Sequence, residues 1–195
     1  NAELVRPLRE SGASFIIATG HFVRRAHIAL FLRSRIPQHV TQVSTPLPDR
    51  VRGLYGRWLF RHFGQLVEYT TFAGAGLATP RRRETARNLE EALSRPGNAI
   101  SISVDAPWKN LESGLVRPFA GETRRCFATG AARLARKTGT PIVVCVPYLD
   151  PNERVVIEWL RVVPPPDPED VEADARITDL LMDDIERAIG RHPTQ

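Results

Sequence analysis

Short apolar runs closed by turn residues alternate with stretches of helical periodicity along this chain, and that alternation restricts the folds open to it. SFIIAT (14–19), HVTQVS (39–44), LVEYTTF (66–72) and AISISV (99–104) have the length and composition of strands. Between them, residues 22–35 place Val23, Ala26, Leu30 and Leu32 at roughly helical spacing. Residues 49–64 do the same with Val51, Leu54, Tyr55, Trp58, Leu59 and Phe63. RRRETARNLEEALS follows Pro80 at a first helical turn and stops at Pro96-Gly97. Beyond a Gly- and Pro-containing loop, 123–138 predicts a helix with Phe127, Ala131, Leu134 and Ala135 on one face. Thr140 to Tyr148 and Arg154 to Val163 predict two last strands around the turn Asp150-Pro151-Asn152, and 170–191 an amphipathic tail helix. Strand and helix in alternation predict an α/β fold around a mostly parallel, mixed sheet flanked by helices, with ligands outside the carboxyl ends of the strands.

At 195 residues the chain has the length of one domain, spanning 1–195. A hydrophobic content of 42% with 25% charged residues fits a globular chain and excludes wholesale disorder, while no apolar run reaches the length of a membrane-spanning helix. Cys126 and Cys145 lack metal-site spacing and a CxxC pair, which points to a reducing compartment. The net charge of +5 comes from arginine, clustered in RSR, RRR and RR pairs. Such an excess suits an anionic partner: phospholipid headgroups, a nucleotide or phosphopantetheine carrier, or nucleic acid. No zinc, helix-turn-helix or stacking-aromatic pattern accompanies it, so nucleic acid ranks last.

Two polar residues fall at predicted strand ends, His21 after FIIATG and Asp105 after AISISV. Each also has an ordinary reading, His21 as a turn residue and Asp105 before Ala-Pro as a turn or helix cap. A neutral imidazole there suits acyl transfer, taking the proton of a hydroxyl or amine as it attacks a thioester. A carboxylate on the far ring nitrogen would fix its tautomer. Five positions on, where such an acid would sit, the chain has Ala26.

The strand with Gly-His-Phe, FIIATGHF, is followed by PLPDR (46–50), RNLEEALSRPGNAISISVD (87–105), GLVRPFAG (114–121), AARLARKTGTPIVV (131–144), VVIEWLRVVPPP (155–166) and a tail helix ending in HPTQ. In that order and spacing, over nearly the whole chain, it resembles the lipid A biosynthesis (lauroyl/myristoyl) acyltransferase family of the lysophospholipid acyltransferase superfamily. The resemblance implies a glycerolipid acyltransferase-like fold. It also implies transfer of a fatty acyl group, without metal or cofactor, from acyl-CoA or acyl carrier protein to a glycolipid, lysolipid or related acceptor. His21 would be the general base, Asp105 and Gly121 pocket positions, and Arg24, Arg25 and Arg117 holders of phosphate groups; the plain alternative for Arg24 and Arg25 is the solvated face of a helix. A monomer peripheral to the cytoplasmic face of the inner membrane is expected, without the family's N-terminal anchoring segment.

The departures bear on activity. Ala26 replaces the acid of the dyad and Ala120 the second Phe of the family's loop. Losing an orienting acid costs on the order of 10⁴ in rate when the tautomer is lost. Asp105, Glu68 or His27 are the candidates to replace it. The competing reading is a catalytically degenerate homologue that binds an acyl chain, carrier protein or membrane surface without chemistry.

Overall fold

A computed structural model describes residues 2–20, 39–44, 68–71, 79–106, 108 and 111–192. The strands are β1 (Phe15–Thr19), β2 (His39–Ser44), β3 (Glu68–Thr71), β4 (Asn98–Ser103), β5 (Gly114–Phe119), β6 (Glu122–Ala128), β7 (Ile142–Leu149) and β8 (Val155–Val163). The helices are α1 (Arg6–Glu10), α2 (Thr79–Ser94), α3 (Gly130–Thr138) and α4 (Ala173–Arg191).

Six strands form one sheet in the order β3-β2-β4-β1-β7-β8. All neighbours are parallel except β7 and β8, which form an antiparallel hairpin around Asp150. The fold is thus α/β with a mixed, mostly parallel sheet flanked by helices. The central strand FIIAT is buried along its whole length, the pattern of a parallel strand covered on both faces rather than an alternating one.

One face of β1 presents Ile16 and Ala18, which join Ile100 of β4 and Ile142 and Val144 of β7. Against them pack Leu89 and Leu93 of α2, Ala131, Leu134 and Ala135 of α3, and Leu181, Met182 and Ile185 of α4. On the other face Phe15 and Ile17 join Val40, Ala99, Val143, Cys145 and Trp159, covered by Val5 and Leu8 of the amino-terminal segment. Each large apolar side chain so buried contributes roughly 1.5–3 kcal/mol.

Polar groups fix the helices on the sheet. α3 ends at Gly139, whose φ of 64° provides the left-handed cap, and its N–H reaches the Ala135 carbonyl. Asp170 accepts from the Ala173 N–H at 3.1 Å at the start of α4. Asp174 binds the Arg136 fork at 2.9 and 3.1 Å, and Asp184 binds the Arg161 fork at 2.7 and 3.2 Å. Both carboxylates are buried, and bidentate pairing offsets their desolvation.

The expected helix over 123–138 is two elements. Residues 122–128 form β6, and only Gly130–Thr138 is helical. Phe127 on the strand and Ala131, Leu134 and Ala135 on the helix enter one cluster, so shared burial imitates a single helical stripe. The expected loop before it contains β5, which pairs antiparallel with β6. The predicted helices over 22–35 and 49–64, and the PLPDR segment, lie outside the described residues.

Candidate functional site

The carboxyl ends of β1 and β4 meet at the middle of the sheet. Their register pairs Thr19 with Ser103, and the ladder closes with the Val104 N–H donating to the Thr19 carbonyl at 2.9 Å. Asp105 follows two residues after Ser103, as His21 follows two residues after Thr19. His21 itself lies outside the described residues, as do Arg24, Arg25, Ala26 and His27.

Asp105 opens a turn that is tied down from the β5–β6 hairpin. Arg125 Nη2 donates to the Asp105 carbonyl at 3.2 Å, and the Trp108 N–H donates to the Cys126 carbonyl at 2.8 Å. The Arg125 guanidinium carbon lies 5.4 Å from the Phe119 ring centroid and 5.7 Å from that of Phe127, within cation–π reach of both. Those rings meet edge to face at 5.0 Å. In the sequence Arg125 is one member of the arginine excess; its place beside Asp105 depends on the β5–β6 hairpin, where the sequence predicts a helix over 123–138.

Arg117 is directly across from Arg125 in the hairpin register, and its side chain runs to α4. Nη1 reaches Asp179 and Asp183, each at 2.7 Å, and Nη2 reaches Glu186 at 3.1 Å. Burial pulls its pKa down, but the hydrogen bond to Asp183 and the charges of Asp183, Asp179 and Glu186 outweigh it, leaving the guanidinium above its ordinary value. Its fork is thus filled by three carboxylates, and a phosphate would have to displace them. Glu186 also accepts from the Ala120 N–H at 2.8 Å, so the same acid holds the hairpin tip.

Gly121 is a turn residue. Ala120 and Gly121 have φ of 49° and 84° between the paired residues Phe119 and Glu122, the geometry of a tight two-residue hairpin turn. A Cβ built on Gly121 meets nothing within 4 Å. Glycine is there for its backbone.

Beneath the β1–β4 edge, on the face that carries Phe15 and Ile17, the residues become small and polar. Thr19 pairs with Ser103 in the strand register, Cys145 follows Val144, the residue paired with Ala18, and Ser101 is two residues below Ser103. Thr19, Ser101 and Cys145 are fully buried. The Ser101 and Ser103 hydroxyls have no hydrogen-bond partner among the described residues. Burial pushes the Cys145 thiol up to about 12, with Thr19 acting weakly in the opposite sense.

The register also sorts the replacement acids. Glu68 aligns with Thr41, Thr41 with Ile100, and Ile100 with Ile16. Its backbone is therefore three strands from β1 and three residues short of Thr19, about 14 Å across and about 10 Å down the sheet. Of Asp105 and Glu68, only Asp105 is next to the end of β1.

Among the described residues no group of three His, Cys, Asp or Glu side chains could hold a metal ion, and no helix is long and apolar enough to cross a membrane. No protein-family model matches the chain, and no curated protein is significantly similar to it.

Proposed function

We propose that this chain is an acyltransferase domain of the glycerolipid acyltransferase type, moving a fatty acyl group from an acyl thioester to a hydroxyl or amine of a lipid or related acceptor. The observation that supports it is the Thr19–Ser103 register, which brings Asp105 beside the strand end that leads into His21. In this reading His21 takes the acceptor's proton while the acceptor oxygen or nitrogen attacks the thioester carbonyl carbon. The tetrahedral adduct collapses, the carbon–sulfur bond breaks, and the imidazolium returns its proton to the departing thiolate. Asp105 takes over from the missing acid at Ala26, holding the far nitrogen of the imidazole. The donor is acyl-CoA or acyl carrier protein, and the setting is the cytoplasmic membrane surface.

The test is thiol release from an acyl-CoA, with an acceptor, by the purified protein. We expect His21→Ala to abolish release above background and Asp105→Asn to reduce it by at least tenfold, whereas Ala26→Glu in the Asp105→Asn background restores part of the rate. If His21→Ala turns over as wild type does, or wild type does not turn over at all, the acyltransferase reading falls. Binding of acyl-CoA without turnover would then mark a degenerate homologue.

A further inference from the structure

We infer that Arg125 is an anion-binding residue at the carboxyl edge of the sheet, and that its ligand is a phosphate group. Two other arginines, Arg117 and Arg136, are mostly buried, and each faces carboxylates, as does the more exposed Arg161. Arg117, with 16% of its side chain exposed, is ringed by Asp179, Asp183 and Glu186. Arg136, at 11%, forms a bidentate pair with Asp174, and Arg161 forms one with Asp184. Arg125 is 24% exposed, yet its ion pair among the described residues is with Glu122 at 3.5 Å, whose own side chain is mostly in water. A contact that long between a half-desolvated cation and a solvated acid contributes little.

The cost of that arrangement is visible in the hairpin. Arg117 and Arg125 are paired directly across the two strands, where like charges repel. The carboxylates of α4 answer Arg117. Among the described residues Arg125 has the phenyl faces of Phe119 and Phe127, one neutral carbonyl, that of Asp105, and the long contact to Glu122. The rings and the Asp105 bond fix the plane of the guanidinium, while three of its five N–H donors have no partner among the described residues. A planar fork held in place with donors to spare is matched by a tetrahedral oxyanion, which accepts two parallel N–H bonds at once. Such a ligand would displace the Glu122 contact and sit beside Asp105, on the side of the sheet where an α/β fold binds ligands.

Phosphate of this kind has two sources that suit the site, a nucleotide-bearing thioester donor or an anionic lipid headgroup. The inference does not require the acyl-transfer reading, because binding is measured without turnover. The experiment titrates the full chain with coenzyme A by calorimetry, and separately with phosphatidylcholine vesicles containing or lacking phosphatidylglycerol. Wild type is expected to bind one of these phosphate probes. Arg125→Ala should weaken that probe roughly tenfold to a hundredfold, the value of a charge-assisted hydrogen bond or two. Arg125→Gln keeps a donor for the Asp105 carbonyl but removes the charge, and should lose binding to a similar degree with an unchanged melting temperature. Arg124→Ala, an exposed neighbour, should bind as wild type does. Loss confined to coenzyme A identifies the donor; loss confined to the phosphatidylglycerol vesicles identifies the membrane. Wild-type affinity in Arg125→Gln overturns the inference, as does equal loss in Arg124→Ala or failure of wild type to bind either probe.

Discussion

The two faces of the sheet are built on different terms. The face under α2, α3 and α4 is apolar from Ile16 to Met182, and where α4 carries buried acids each is paired with arginine. The opposite face begins in the same way with Phe15, Ile17 and Val40, then changes toward the carboxyl end to Thr19, Ser103 and Cys145, with Ser101 below. Close packing accounts for the first face completely. It does not account for buried hydroxyls without partners among the described residues, which cost free energy unless another group meets them. The difference puts the paired buried charges on the helical face and the unpartnered hydroxyls toward the carboxyl end of the other.

Three measurements bear on that contrast, the largest effect first. Ile185→Ala removes a fully buried side chain from the α4 contact and should cost about 2–5 kcal/mol in urea unfolding. A loss well under that range would mean that α4 adds little to the core. On the other face, Ser101→Ala removes a hydroxyl that bonds nothing among the described residues. Stability should stay the same or rise by up to about 1 kcal/mol. Destabilisation beyond that would reveal a partner and erase the contrast. The smallest effect is no reaction at all: with its thiol near 12 and fully buried, Cys145 should escape iodoacetamide at pH 8 in the native protein and react once unfolded, read by peptide mass spectrometry. Native labelling at Cys145 would show that this face opens to solvent.

What could be seen in the sequence follows from which signals are local. The fully buried strand FIIAT and the β7–β8 hairpin, rich in β-branched residues, have distinctive composition, so their existence and near-correct bounds could be read from residues alone. The hairpin of β5 and β6 could not, because Phe127 and Ala131 share a core cluster across an element boundary and mimic helical spacing. Asp105 was legible as a strand-end acid, and the strand order adds what spacing cannot: that β4, not β2, lies beside β1. The same order separates Asp105 from Glu68. Arg117 shows the limit in the other direction. Nothing in GLVRPFAG announces that three carboxylates more than sixty residues downstream occupy its guanidinium. The arginine excess was evident, but which arginine keeps free donors is a property of tertiary pairing.

The hold of Glu186 on both Arg117 and the Ala120 N–H has a consequence for the order in which the molecule matures. The hairpin that ties down the Asp105 turn is itself secured from α4, which is synthesised after it. On the ribosome, β1, β4 and Asp105 emerge well before their brace. The sheet can begin to assemble from its amino-terminal strands, whereas the edge bearing Asp105 gains its final shape only after residues 179–186 have left the exit tunnel.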